Sequence, residues 1–130
     1  MKILLAEDDF TTRKYMANFL SKYGSCDVTV DGMEAVDAFM LALEEEEPYD
    51  LVCLDIMMPV MDGYQALMGI RNLEKEKGIP KEKASKIIMT TALNDEKNVK
   101  MAFEYGCTIY SGKPIDKERF EQALVKLGLI

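Results

Sequence analysis

The sequence predicts an α/β domain, a doubly wound parallel sheet of five strands with helices on both faces. Two observations carry that prediction. Five short apolar or β-branched runs alternate with five stretches of helical periodicity, the pattern of βαβ units. Four of the runs end in acids, hydroxyls or a lysine. Because such crossovers are right-handed almost without exception, every strand's carboxyl end faces one side.

The first run, Lys2–Ala6, is halted by Glu7, Asp8 and Asp9. Phe10 to Ser21 then carries Met16, Phe19 and Leu20 at helical spacing, closed by Gly24. Cys26 to Val30 reads as a brief second strand. Asp31 with Glu34 three residues on resembles a capping box, and Met33, Val36, Met40 and Leu43 trace the apolar face of a second helix. The acids Glu44–Glu47 oppose the dipole of that helix, so its end should fray.

Leu51 to Leu54 reads as a strand buried on both faces, ending in a single carboxylate, Asp55. Pro59 and the Asp62–Gly63 pair turn the chain. Gly63 to about Lys77 is helical, with Leu67, Ile70 and Leu73 inward. The charged stretch EKEKGIPKEKAS after it reads as a surface excursion. Lys86–Thr91 is the fourth strand. Asn94 caps a helix carrying Val99, Ala102 and Phe103, ended by Gly106. Thr108–Tyr110 is the fifth strand. After Gly112–Lys113–Pro114, Asp116 caps a last helix with Phe120, Ala123, Leu124 and Leu127.

Composition narrows the function. At 130 residues and 48% hydrophobic, the chain reads as one domain over 1–130, with no effector domain. A formal net charge of −7 counts against nucleic acid and against an anionic membrane surface as partners. No apolar run approaches the roughly 20 residues of a membrane span. Cys26, Cys53 and Cys107 lack metal-type or paired spacing and read as small hydrophobes in a reducing cytoplasm. There is no histidine, so the chain brings no imidazole base of its own.

The strand ends gather Glu7, Asp8, Asp9, Asp55, Thr91 and Lys113 on one rim, the edge where open parallel sheets place their ligands. Clustered carboxylates call for a cation, and oxygen donors alone suit Mg2+, with Mn2+ as the alternative. A metal, a lysine and a hydroxyl around one carboxylate suit phosphoryl transfer onto that carboxylate. Asp55 would be the nucleophile, and the metal and Lys113 would spread the charge of the transferring group.

Four motifs in this order and spacing, AEDDF, LDIMMPVMDG, TTA and GKP, resemble those of response-regulator receiver domains, specifically stand-alone, CheY-like ones. The likeness spans essentially the whole chain. It implies the strand order 2-1-3-4-5 of the flavodoxin/CheY-like fold. It makes Asp55 the phosphorylated aspartate. Glu7, Asp8 and Asp55 with the Met57 backbone carbonyl become the metal ligands, with Asp9 as an additional acid. Thr91 becomes the switch hydroxyl and Tyr110 a switching aromatic, while Lys113 contacts the phosphate. Met57 and Leu93 would flank the phosphoryl group. Neither can orient water, which predicts a long-lived acyl phosphate.

The implied function is a phosphorylation-controlled binding switch, taking its phosphoryl group from a sensor histidine kinase or a histidine phosphotransfer protein. Its output face would be the fourth helix, fifth strand and fifth helix, with Lys97, Lys100, Met101, Tyr110 and Phe120 as candidates for a chemotaxis-type or other downstream target. The chain is expected to be a cytoplasmic monomer, or a dimer once phosphorylated, and not an enzyme. A relay intermediate is the alternative. An aspartyl-phosphate hydrolase would want an acid where Met57 stands. A flavodoxin-like cofactor binder would want a hydroxyl- and glycine-rich loop after strand one, where acids stand instead.

Overall fold

A computed structural model describes residues 1–92 and 96–130. Its five strands are β1 (Lys2–Ala6), β2 (Ser25–Thr29), β3 (Leu51–Asp55), β4 (Lys86–Thr91) and β5 (Ile109–Gly112). They form one parallel sheet in the order β2-β1-β3-β4-β5, as expected. Between and after them lie α1 (Phe10–Leu20), α2 (Gly32–Glu44), α3 (Gly63–Glu76), α4 (Glu96–Glu104) and α5 (Lys117–Lys126). Asn94, expected to cap α4, and Leu93 lie outside the described residues.

Strand parity sorts the core into two layers. Ile3, Leu5, Leu51, Cys53 and Ile88 face α1 and α5, where they meet Met16, Phe19, Leu20, Phe120 and Leu124. Leu4, Ala6, Val52, Leu54, Ile87 and Met89 face the other helices, against Ala35, Phe39, Ala66, Leu67, Ile70 and Ala102. Register brings the strand ends together. Ala6 lies beside both Thr29 and Leu54, Asp55 beside Thr90, and Thr91 beside Gly112. At the carboxyl ends, backbone bonds from Glu7 to Thr29, Ile56 to Thr90 and Lys113 to Thr91 extend the ladder past the strands.

Several local expectations are corrected. The face of α2 that meets the sheet is Ala35, Phe39 and Ala42, while Met33 and Met40 are exposed. The helix carries two adjacent apolar stripes. The one with alanines packs more closely, and Phe39 stacks on Tyr49 at 6.3 Å. Its end does not fray. Glu46 adopts a left-handed φ of 60°, and the N–H groups of Glu46 and Glu47 bond to Leu43 and Ala42, a Schellman closure made without glycine. At the start of α2 the Glu34 carboxylate reaches the N–H of Val30 rather than that of the cap residue Asp31. The reciprocal capping box stands on α3 instead, between Asp62 and Gln65.

The stretch from Glu74 to Ser85 is not all surface, because both ends are buried. The Glu74 carboxylate accepts from Arg71 at 2.7 Å and from the Ser85 N–H at 2.8 Å. The Ser85 hydroxyl donates to the Tyr49 carbonyl. Phe103 of α4 is exposed. Phe120 is buried edge-on against Phe19 at 5.6 Å, so it is core and not an output contact. Strand β2 begins one residue earlier than expected, and β5 runs on to Gly112.

Candidate phosphoacceptor site

Asp55 is the last residue of β3 and continues the parity of Leu51 and Cys53. Glu7 directly follows β1, the neighbouring strand. Oxygens of Glu7, Asp8 and Asp55 lie within 4.8 Å of one another. Glu7 and Asp55 are buried and Asp8 is exposed. From the far side Lys113, just past β5, sends Nζ to within 2.8 Å of Glu7 Oε2 and 3.3 Å of Asp55 Oδ1.

The electrostatics follow from this crowding. Burial, and next the charge of Glu7, push the Asp55 carboxyl up to about 7, although Lys113 pulls the other way. Burial alone would lower Lys113, but its hydrogen bond to Glu7 and the charge of Asp55 outweigh that, and its pKa is raised. Three carboxylates against one ammonium leave an excess of negative charge at a site whose donors are all oxygen. That donor set fits a hard divalent cation.

Asp9 stands apart from this group. Its carboxylate caps α1, accepting from the Thr12 N–H at 2.9 Å and the Thr12 hydroxyl at 2.7 Å. Those bonds hold its pKa below the usual value. The run of three acids is thus divided between the cluster and a helix cap. Thr91 is fully buried at the end of β4, and its carbonyl accepts from the Lys113 N–H at 2.8 Å. By strand parity Thr90 is on the α1/α5 side, paired with Asp55, while Thr91 continues Ile87 and Met89 on the other. The Thr90 hydroxyl donates to the Leu54 carbonyl at 3.4 Å. Tyr110 is half-buried and packs against the α2–α4 layer.

Met57 projects to solvent while Ile56 and Met58 enter the core on either side of it. The loop is pinned by bonds from the Met58 and Gly63 N–H groups to the Ile56 carbonyl. Val60 holds a left-handed φ of 68°, a costly state for a β-branched residue.

Two contributors escaped sequence reasoning. Arg13 Nη1 donates to the carbonyls of Glu7 and Asp8, at 3.0 and 3.1 Å, clamping the backbone that carries the acids. Its only sequence signal was a cation in the first turns of α1. Gly63 looked like a turn residue. In fact a Cβ there would come 2.3 Å from the Asp55 carbonyl, so only glycine lets α3 start this close to the backbone of Asp55.

Comparison with known proteins gives this rim its context. The family model for the response regulator receiver domain matches residues 3–125. A probable histidine kinase from Oryza sativa subsp. indica is 34% identical over 95% of the chain, which spans 12% of that relative. A probable transcriptional regulator, ycf27, of Cyanophora paradoxa is 37% identical over 97% of the chain, which spans 47% of it. Among solved structures, the CheX–CheY–BeF3–Mg complex from Borrelia burgdorferi aligns with a TM-score of 0.79 at 28% identity, covering 98% of this chain and 89% of that one. The receiver domain of Saccharomyces cerevisiae Ssk1, solved with the histidine phosphotransfer protein Ypd1, aligns with a TM-score of 0.84 at 26% identity, covering 98% and 88%. With its acids, lysine and buried threonine at four neighbouring strand ends, the chain belongs to the response regulator receiver domain family, the phosphoacceptor module of two-component and phosphorelay signalling.

Proposed function

We propose that Asp55 takes a phosphoryl group from the phosphohistidine of a sensor histidine kinase or a histidine phosphotransfer protein, and that this switches the α4–β5–α5 face to bind a partner. One observation carries the reading. A buried carboxylate at the end of β3 is held between a lysine and two further acids. An Asp55 oxygen attacks phosphorus, the N–P bond breaks, and the departing imidazole nitrogen takes a proton from solvent. Glu7, Asp8 and Asp55, with the Met57 carbonyl, would hold Mg2+, or Mn2+ in its place. Bound there, the metal would offset the charge gathering on the phosphoryl oxygens. The Borrelia relative, solved with BeF3 and Mg, supports that choice.

Lys113 would exchange its contact with Asp55 for a phosphoryl oxygen, and the Thr91 hydroxyl would follow it. Tyr110 would carry the change to the output face. A cavity of about 400 Å3 opens there, lined by Val99, Ile109, Tyr110, Arg119 and Ala123 among others, with Lys97 and Lys100 exposed on α4. The domain promotes only its own phosphorylation and dephosphorylation and turns over no separate substrate. Among the described residues no helix is long and apolar enough to cross a membrane, which suits a cytoplasmic module.

Relay to a second histidine protein is the competing reading, favoured by the likeness to part of a histidine kinase, while the Ssk1 receiver, downstream of Ypd1, fits the first reading. Incubation with a phosphorylated histidine phosphotransfer protein tests both. Mg2+-dependent transfer to the wild type and none to Asp55→Ala is expected. Return of the label to unphosphorylated donor within the lifetime of the adduct would indicate a relay. No transfer from several donors would oppose both readings.

A further inference from the structure

Ten methionines are a large share of 130 residues, and they are not all core. Met57 is the most exposed of them, at 61%, and it stands two residues after Asp55. Its neighbour Met58 is 8% exposed and belongs to the core. Ile56 and Met58 point inward, so Asp55 and Met57 share the other side of the chain where β3 ends. Residues two apart in a chain are separated by at most about 7 Å at the backbone, and the flexible methionine side chain spans that gap. The backbone beneath it is fixed by the Ile56, Met58 and Gly63 bonds, so chemistry on the sulfur leaves the loop in place.

We propose that Met57 is a redox-modification site, and that its oxidation to the sulfoxide shortens the life of the phosphoryl group on Asp55. The proposal rests on the receiver reading above. The oxidant is hydrogen peroxide: the thioether sulfur attacks one peroxide oxygen, the O–O bond breaks, an S–O bond forms and water leaves. Sulfur loses two electrons and peroxide gains them. A thiol-dependent sulfoxide reductase reverses the step. The thioether is a weak acceptor and orders no water. The sulfoxide oxygen is a strong acceptor beside the phosphoryl group, able to hold a water for attack on phosphorus. Oxidative conditions would then switch the domain off without touching its phosphodonor.

The test compares the decay of the acyl phosphate in protein treated with limiting peroxide and in untreated protein, for wild type and Met57→Leu. The variant keeps Met33, Met40 and Met68, so their oxidation is common to both. Decay in oxidised wild type should be roughly fivefold faster than in untreated wild type, what one added hydrogen bond supplies. The corresponding ratio for Met57→Leu should stay near one, and treatment with sulfoxide reductases should restore the wild-type rate. Equal ratios in the two proteins would overturn the proposal. Failure of untreated wild type to take up a phosphoryl group would instead strike the receiver reading. Peptide mapping is independent of phosphorylation. It should find Met57 oxidised first and Met58 intact, and Met57 spared while Met33 reacts would overturn the assignment.

Discussion

Asp55 is at once the residue the site is built around and a cost to the fold. An ordinary aspartate titrates near 3.8, and here burial and Glu7 raise that to about 7. The folded chain therefore binds this proton more tightly than the unfolded chain. Stability from this group is greatest below pH 4 and falls as pH rises between the two values, with the full penalty above 7. Asp55→Asn should stabilise the metal-free protein at pH 8 by on the order of 2 kcal/mol, after discounting for relaxation. The gain should vanish at pH 4, as followed by urea unfolding, and an equal gain at both values would contradict the raised pKa. Met57→Asn, alone or with Leu93→Glu, should speed loss of the acyl phosphate by roughly fivefold per hydrogen bond to water. Time-resolved intact mass reads it, and an unchanged rate would remove Met57 from the kinetics. The acids, Lys113 and Thr91 were legible because each closes a strand, and parallel strands end on one side. The division between Asp8 and Asp9 was legible only through the family resemblance, because from the residues alone it depends on α1 starting at Phe10 with Thr12 placed to be capped.

At the scale of elements, periodicity located every strand and helix to within about two residues at the ends. It failed on faces. Met33, Val36, Met40 and Leu43 have helical spacing, but so do Ala35, Phe39 and Ala42, and it is this second stripe that is buried, with Val36 and Leu43 packed at its edge and Met33 and Met40 left exposed. Composition also misled over Glu74 and Ser85, because a charged stretch looks solvated until its ion pair is seen. Arg71 ties Glu74 to the carbonyls of Gly106 and Ser85, at 3.0 and 2.9 Å, and so fastens α3 to β4 and to the end of α4. Glu74→Ala leaves Arg71 and the Ser85 N–H without their carboxylate and should cost about 3 kcal/mol. Glu74→Gln should cost clearly less, since it keeps an acceptor. Urea midpoints at constant m-value decide between them, and equal small losses would make the pair a surface ornament.

Over the whole molecule, one parallel sheet does the assembling. Its register sets Ala6 beside Leu54, Asp55 beside Thr90 and Thr91 beside Gly112. Three segments distant in sequence thereby bring three acids and a lysine to one place, with buried Thr91 closing the strand between them. There, we propose, Asp55 accepts its phosphoryl group. The most direct test is intact mass after incubation with acetyl phosphate, with and without Mg2+, for wild type and Asp55→Ala. The wild type should gain one phosphoryl group, only with Mg2+, and the variant none. A gain by Asp55→Ala equal to that of the wild type, or one indifferent to Mg2+, would contradict the proposal.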